Sequence, residues 1–217
     1  MAPLVVALVG PSGAGKTTLG EALALRDGVA FLSEPSVGLV DPSIPYMGLD
    51  QSRLQLRYHS CRKADFMACS AGIVVVDRWI REDLEVFLEL HRRLGGLTSD
   101  QVRGIRRRAV ADAPAQVLSP HAFIIVTAEQ EVLRSRVASR GGPSWLVDSL
   151  DIQFDLYTDF LPRVGKPAVW IDTSGLSLPD LHAIAEWIVQ TMGGAIRGTA
   201  PAPAPRATAV WKLQPPR

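Results

Sequence analysis

Five short apolar segments recur along the chain and predict the strands of a sheet. They are Leu4–Val9, Val29–Leu32, Ile73–Val76, Phe123–Val126 and Ala168–Ile171. None of them alternates between apolar and polar residues, as a strand with one face in water would. Continuous apolar runs of this length are typical of strands that are buried on both faces, as in a parallel sheet covered by helices.

Longer segments with helical spacing of their apolar positions lie between these strands. They are Thr17–Leu25, Leu49–Cys69, Glu82–Leu94, Ser99–Ala111, Glu129–Arg140, Leu146–Leu161 and Leu181–Met192. Strands that alternate with helices predict right-handed crossovers and a parallel sheet with helices on both faces. In such a fold ligands bind at the carboxyl ends of the strands. The residues that follow each apolar segment are therefore the first candidates for chemistry.

The C-terminal residues have a different composition from the rest of the chain. Residues 199–206 read Thr-Ala-Pro-Ala-Pro-Ala-Pro-Arg, which is too poor in large apolar side chains to build a core. We predict one domain over residues 1–195 and a Pro/Ala-rich, disordered tail over residues 196–217.

Composition and charge narrow the class of protein. Of the 217 residues, 47% are hydrophobic, and 23 basic residues face 22 acidic ones, so the net charge is +1. This balance provides no long-range field for gripping a nucleic-acid backbone, which disfavours a nucleic-acid partner. Cys61 and Cys69 lie in one predicted helix, where a disulfide is not expected, and this fits a cytoplasmic protein. No apolar run is long enough to predict a membrane span or a signal peptide.

A glycine-rich loop follows the first strand and opens the first helix. Its sequence, Gly10-Pro-Ser-Gly-Ala-Gly-Lys-Thr17, fits the Walker A pattern of phosphate-binding loops. Backbone N–H groups of such a loop surround the phosphates of a nucleotide, the lysine reaches the β and γ phosphates, and the threonine hydroxyl ligates Mg²⁺. The alternative, a glycine-rich turn alone, does not explain the position at a helix N-terminus, where anions are favoured. The predicted nucleotide-binding residues are Gly10, Ser12, Gly13, Ala14, Gly15, Lys16, Thr17 and Thr18.

An acidic residue stands where the third strand ends. Asp77 follows the Ile73–Val76 segment directly, which is where a Mg²⁺-facing aspartate lies in P-loop proteins. A surface ion pair or a helix cap is the alternative reading. The chain has no Asn-Lys-x-Asp signature and no second acid directly after Asp77. A phosphotransferase is therefore favoured over a GTPase switch or an AAA-type motor.

The second strand is followed by Ser33-Glu34-Pro35. Pro35 ends the strand in any case, because proline has no N–H to donate. Glu34 has a further use, since a hydroxyl acceptor must lose a proton during phosphoryl transfer and a carboxylate nearby serves as its general base. A phosphate acceptor would instead need arginines. Because Ser33 and not an arginine precedes Glu34, the sequence favours a hydroxyl acceptor.

Taken together, these segments resemble the deoxynucleoside kinase family. The resemblance rests on the loop Gly10–Thr18, on Ser33–Pro35, on Gln55 with Arg62, and above all on Asp77–Phe87, with its sequence Asp-Arg-Trp-Ile-Arg-Glu-Asp-Leu-Glu-Val-Phe. Leu133–Arg140 is similar to the arginine-rich lid of the family. The resemblance covers about residues 3–175 and implies an α/β P-loop kinase fold. Its expected sheet has five parallel strands, helices on both faces and a short arginine-bearing lid.

The resemblance also implies roles at the acceptor side of the site. Glu34 would be the base for a sugar 5′-hydroxyl, and Arg78 would hold the developing phosphate next to it. Gln55 would pair with a base edge, since an amide offers both a donor and an acceptor. Tyr46 would reach the sugar. Arg62 and Trp79 complete the expected substrate-binding residues.

On the donor side, the resemblance implies ATP and Mg²⁺ as cofactors. Asp77 would act through Mg²⁺ together with Thr17, and Lys16 would take part in catalysis. Arg136 and Arg140 would close over the phosphates of ATP; their alternative reading is a solvated helix face. The expected partner is a small nucleoside or nucleotide, no membrane is implied, and a homodimer is left open.

Two other functions remain open at this stage. A thymidylate-type nucleoside monophosphate kinase shares the loop, the Glu-Pro pair, the Asp-Arg pair and the lid, but its pattern has an arginine directly before Glu-Pro. Arg57 and Arg62 are available to bind an acceptor phosphate. An ATP-sensing regulatory or scaffold protein would use the loop as a sensor and the tail to recruit a partner. Such a sensor would have no need for Glu34, Asp77 and Arg78 together.

Overall fold

The structure, a computed structural model, describes residues 3–33, 69–112, 120–141, 144–163 and 168–197. Four of the predicted site residues lie outside these ranges: Glu34, Tyr46, Gln55 and Arg62. The helix predicted over Leu49–Cys69 falls almost wholly outside them, and so does most of the predicted tail.

A five-stranded parallel sheet forms the centre of the fold. The strands are β1 (Leu4–Val9), β2 (Val29–Leu32), β3 (Ile73–Asp77), β4 (Ala122–Thr127) and β5 (Ala168–Asp172), in the order β2-β3-β1-β4-β5. Every neighbouring pair is parallel. The five predicted strands are therefore confirmed, each within one residue at either end. β1 lies between β3 and β4, so the loop after β1 is flanked by the ends of both neighbours.

Helices connect the strands and are numbered here within the described residues. They are α1 (Lys16–Ala24), α2 (Ile80–Glu82), a π-helical turn (Asp83–Phe87), α3 (Leu88–Arg93), α4 (Ser99–Asp112), α5 (Gln130–Ser139), α6 (Ser144–Asp148), α7 (Leu150–Phe160), a 3₁₀ turn (Leu161–Arg163) and α8 (Leu178–Arg197). No helix among these is both long enough and apolar enough to span a bilayer. The predicted arginine-bearing lid segment, Leu133–Arg140, lies in α5 and ends at the residue directly after it.

Two helices contain breaks that the sequence does not predict, and α8 (Leu178–Arg197) extends beyond the predicted Leu181–Met192 at both ends. The helix predicted over Glu82–Leu94 begins two residues earlier and contains the π-helical turn, so that Asp83 and Phe87 both contact Arg78. The helix predicted over Leu146–Leu161 is divided at Ser149 into α6 and α7. The Ser149 hydroxyl donates to the Leu146 carbonyl (3.0 Å). Serine commonly bonds to nearby backbone in this way, and such bonds compete with helix continuation.

Alternate residues of the central strands pack against helices on opposite faces of the sheet. Ala7 and Val9 belong to a core cluster that includes residues of α2, α3, α4 and α7. Val6 and Leu8 belong to a second cluster with residues of α1, α5 and α8. The predicted arrangement, with helices on both faces, is thus confirmed. Both layers leave the carboxyl ends of β1 and β3 next to the glycine-rich loop.

Candidate active site

The glycine-rich loop curls between β1 and α1 as the Walker A pattern predicts. Gly10, Gly13 and Gly15 have φ angles of +148°, +83° and +91°, which side chains rarely tolerate. Lys16 begins α1 and turns back over the loop, where its Nζ donates to the carbonyl oxygens of Gly10 (2.8 Å) and Pro11 (3.1 Å). The loop therefore presents backbone N–H groups and one cation at a helix N-terminus, which is a suitable environment for phosphates.

Gly10 occupies a position that no other residue can take. A Cβ atom at Gly10 would lie 1.9 Å from the carbonyl oxygen of Val126 in β4. We expect Gly10→Ala to lower the free energy of unfolding by at least about 3 kcal/mol, from backbone strain and overpacking combined. Gly28→Ala is the matched control, because Gly28 has a φ of +76° with nothing within 4 Å. It should cost only about 1–2 kcal/mol; equal losses in urea denaturation would contradict the expectation.

The predicted Mg²⁺ ligands Thr17 and Asp77 are in direct contact. The Thr17 hydroxyl donates to Asp77 Oδ2 at 3.2 Å, and the parallel register places Asp77 opposite Leu8 of β1. Hydroxyl and carboxylate oxygens are ligands that Mg²⁺ accepts, so the donor set fits this ion. Within the described ranges no group of three or more His, Cys, Asp or Glu forms a metal site. Mg²⁺ bound to a nucleotide needs only one or two protein ligands.

Arg78 lies at the sheet end next to Asp77, but its guanidinium points inward. The backbone φ of Arg78 is +63°, which is unusual for a residue with a side chain. The backbone N–H of Arg78 donates to the Leu8 carbonyl oxygen at 3.0 Å. The guanidinium lies 3.8 Å from the centre of the Phe87 ring and pairs with Asp83 at 3.3 Å. Strained backbone of this kind clusters at functional sites. The π-helical turn thus holds the arginine that we expect to contact phosphate.

His91 is buried in α3 near this arginine. Burial, and secondarily the charge of Arg78, lower the pKa of His91 from 6.5 to about 4, although Asp83 acts in the opposite direction. The folded protein therefore keeps His91 neutral at pH 7. Below pH 6.5 the unfolded chain takes up a proton that the folded chain does not, so stability falls as the pH falls towards 4.

We expect wild type to lose about 2–3 kcal/mol more unfolding free energy than His91→Gln between pH 7 and pH 4.5. Glutamine has the polarity of neutral histidine but does not titrate in this range. Urea denaturation of both proteins at the two pH values measures the difference. Equal losses in the two proteins would show that His91 protonates as readily when folded as when unfolded.

Glu82 is a part of the site that the sequence did not single out. Its side chain is completely buried, and its Oε1 accepts a hydrogen bond from Gly10 N at 3.0 Å. Oε2 accepts from Trp79 N at 3.2 Å, and the Tyr157 hydroxyl also donates to Oε1. Burial raises the pKa of Glu82 to about 7, against the charges of Lys16 and Arg78 and the donors, which lower it. The only signal in the sequence is a glutamate three residues after Trp79, the spacing of a helix cap.

Helix α7 holds the loop at a second point. Gln153 is fully buried, and its Oε1 accepts from Ser12 N at 3.4 Å. Its Nε2 donates to Ser149 Oγ at 3.1 Å. Tyr157 lies one turn further along α7 and reaches Gly10 through Glu82. The helix after the lid thus supports the phosphate-binding loop.

Arg136 in α5 joins the loop to the end of β5. Its Nη1 donates to Thr173 Oγ1 (2.8 Å) and more weakly to the Gly13 carbonyl (3.4 Å), and its Nη2 donates to the Thr173 carbonyl (2.7 Å). Burial, followed by the charge of Arg140, lowers the pKa of Arg136. Arg140 is exposed just beyond the end of α5. The two arginines therefore stand close to each other beside the loop.

Trp79 packs into the core rather than standing open to a cleft. Its ring lies 4.7 Å from Phe123, in an edge-on arrangement, and 6.1 Å from Phe160. Only 4% of the residue is exposed. The structure gives Trp79 a packing role, and contact with an acceptor stays a prediction.

The fold of this chain is similar to that of proteins with solved structures. No family model matches the chain, and no curated protein matches it by sequence. Among solved structures, deoxyadenosine kinase from M. mycoides with the products dCMP and a flexible dCDP bound has a TM-score of 0.70 at 17% identity. The match covers 88% of this chain and 99% of that chain. The chain has the fold of these deoxyadenosine kinases.

Two further structures of the same enzyme support the likeness. The complex with dATP gives a TM-score of 0.67 at 17% identity, over 87% of this chain and 98% of that one. The complex with dCTP gives 0.64 at 18% identity, over 88% and 99%. The P-loop kinase fold that the sequence resemblance implied is therefore confirmed.

The structure brings together the predicted residues of the donor side. The loop from Gly10 to Thr18 contains Lys16, which is folded over it, and Thr17, which contacts Asp77. Arg78 follows Asp77, and Arg136 contacts the loop from α5. The acceptor side, with Glu34 foremost, lies outside the described residues and stays a prediction.

Proposed function

We propose that this chain is an ATP-dependent kinase that transfers the γ-phosphoryl group to the 5′-hydroxyl of a deoxynucleoside or related nucleoside. The observation that carries the proposal is the contact between Thr17 and Asp77 beside the Lys16 loop. It occurs in a fold that the chain shares with solved structures of a deoxyadenosine kinase with nucleotides bound. The sequence features at Glu34 and Asp77–Phe87 point to the same chemistry.

On the donor side, the loop would bind the triphosphate of ATP through backbone N–H groups and Lys16. Thr17 and Asp77 would hold Mg²⁺, which neutralises phosphate charge when it is bound. Lys16 would exchange its bonds to the loop carbonyls for the β and γ phosphates. Phosphoryl transfer depends mainly on positioning and electrostatic stabilisation, and this set of groups supplies both.

On the acceptor side, Glu34 would take the proton of the 5′-hydroxyl as the oxygen attacks the γ phosphorus. The bond from that phosphorus to the β–γ bridging oxygen then breaks, and ADP leaves. Arg78 would stabilise the phosphoryl group between the two oxygens, after its guanidinium turns from Asp83 towards the cleft. Gln55 would read the base, while Tyr46 and Arg62 would contact the rest of the acceptor.

The lid would complete the site. Burial, and secondly the positive charge of Arg140, lower the pKa of Arg136, so the two guanidinium groups repel each other. An anion between them would relieve that repulsion. The phosphates of ATP are the anion that the neighbouring loop would present.

An acceptor panel tests the proposal. Purified protein is incubated with ATP, Mg²⁺ and each of the common nucleosides, deoxynucleosides and their 5′-monophosphates, and ADP formation is measured. We expect turnover with at least one nucleoside and little with its monophosphate. Turnover confined to monophosphates would favour the thymidylate-type alternative. ATP binding without turnover of any acceptor would favour the sensor.

A further inference from the structure

Glu82 connects two chain segments that are distant in sequence. One oxygen of its carboxylate accepts from the N–H of Gly10, the first residue of the loop, 72 positions away. The other accepts from the N–H of Trp79, two residues after Asp77. A single buried side chain therefore ties the end of β1 to the turn that follows β3.

A helix cap explains only half of this arrangement. A glutamate at the third position of a helix commonly accepts from the N–H of the capping residue, as Glu82 does from Trp79. Such caps normally lie at the surface, whereas Glu82 is completely buried. A carboxylate without solvent is costly unless its oxygens are satisfied. The bonds to Gly10 and Tyr157 provide that satisfaction and have no role in capping.

Two positively charged residues of the candidate site also act on the Glu82 carboxylate. Lys16 and Arg78 both act electrostatically on its carboxylate, and these are the cations that we expect to meet phosphate. Tyr157 from α7 donates to the same oxygen as Gly10. Burial opposes ionisation of Glu82 and raises its pKa to about 7, whereas the surrounding donors and cations favour the ionised form.

We propose that Glu82 is a positioning residue whose buried carboxylate fixes the loop at Gly10 against the turn at Trp79, and thereby sets the separation of Thr17 and Asp77. The separation matters because both residues must present an oxygen to the same Mg²⁺–nucleotide. The inference rests on one part of the proposed function, the binding of a Mg²⁺–nucleotide at the loop. It does not depend on which acceptor is phosphorylated.

The test compares nucleotide binding in three variants. Glu82→Gln keeps the shape of the side chain but replaces one accepting oxygen by an NH₂ group. This group cannot accept the hydrogen bond that a backbone N–H donates to Glu82. Tyr157→Phe removes only the third donor. Glu85→Gln is the matched control: Glu85 lies three residues further on and forms ion pairs with Arg81 and Arg163 at the surface. Binding of a non-hydrolysable ATP analogue is measured by calorimetry with and without Mg²⁺ at pH 8, above the pKa of about 7 of Glu82.

We expect Mg²⁺ to strengthen binding of the analogue to wild type and to Glu85→Gln by the same factor, within about twofold. In Glu82→Gln that factor should fall by about 10-fold to 100-fold, as for other residues that orient metal ligands. Binding without Mg²⁺ should change much less. Tyr157→Phe should lower the factor by about threefold, the worth of one hydrogen bond.

A purely structural role for Glu82 makes a different prediction. It would lower the melting temperature of Glu82→Gln and leave the Mg²⁺-dependent gain in binding within about threefold of wild type, which would overturn the proposal. If circular dichroism shows that Glu82→Gln does not fold, Tyr157→Phe decides, and a gain equal to that of Glu85→Gln overturns the proposal.

Failure of the proposed kinase activity can be distinguished from failure of the proposed role of Glu82. If wild type binds the Mg²⁺–analogue complex but phosphorylates no nucleoside, the proposed function fails while the role of Glu82 is still tested by binding. If wild type gains nothing from Mg²⁺, the nucleotide site itself fails, and this proposal with it.

Discussion

Replacing Lys16 by methionine should lower the turnover number by at least about 10²- to 10³-fold, the usual effect of removing one group that stabilises charge in a transition state. Methionine has similar length and flexibility but no charge. In the structure Lys16 Nζ donates to the carbonyl oxygens of Gly10 and Pro11 in its own loop. Its loss should leave the sheet and the core unchanged. Initial rates with saturating Mg²⁺–ATP and the best nucleoside measure the effect.

Lys212→Met provides the control for this exchange, because it makes the same chemical change in the predicted tail. It should retain wild-type turnover. Circular dichroism should give the same spectrum for both variants and for wild type. Turnover of Lys16→Met within threefold of wild type would remove the loop from the reaction.

Replacing Glu34 by glutamine should lower turnover with a nucleoside by about 10²- to 10⁴-fold, because a positioned general base contributes that much. Glutamine keeps the size and the hydrogen bonding of glutamate but does not take the proton of the 5′-hydroxyl. On the proposed function, ATP affinity should depend on the loop from Gly10 to Thr17 and should change little. Steady-state rates and calorimetric ATP binding together separate the two effects.

The same variant distinguishes the two kinase hypotheses. A monophosphate acceptor has no alcohol proton to lose, so Glu34→Gln would then raise the Michaelis constant of the acceptor more than it lowers the turnover number. Near-normal turnover in Glu34→Gln, together with a wild-type preference for the monophosphate, would contradict the nucleoside kinase proposal. Glu21→Gln, an exposed exchange in α1, should leave both constants unchanged.

Much of the fold was predictable because its signals are local. The apolar runs from Leu4 to Val9 and from Ile73 to Val76 have few alternatives to buried strands in a chain of this composition. The glycine pattern from Gly10 to Gly15 specifies a loop conformation directly. The contact of Thr17 with Asp77 also follows from sequence, since parallel neighbouring strands end at the same edge of the sheet.

The rest depends on contacts between distant residues. Nothing near Glu82 or Gln153 in the sequence shows that each would bond to the loop, 72 and 141 residues away respectively. The π-helical turn at Asp83–Phe87 packs against Arg78, and helix propensity does not predict this contact. The position of Trp79 in the motif predicts contact with the acceptor, which stays a prediction, whereas the packing of its ring beside Phe123 could not be predicted from the sequence.

Transfer of a phosphoryl group to a nucleoside 5′-hydroxyl is tested most directly by locating the labelled phosphate after reaction with labelled ATP. Wild-type protein is incubated with Mg²⁺ and γ-³²P-labelled ATP, with either the best nucleoside of the panel or its 5′-deoxy analogue, which lacks that hydroxyl. Chromatography of the products should show labelled nucleoside 5′-monophosphate with the nucleoside and none with the analogue. Label found only in inorganic phosphate, or only in diphosphates when monophosphates are supplied, would contradict the account.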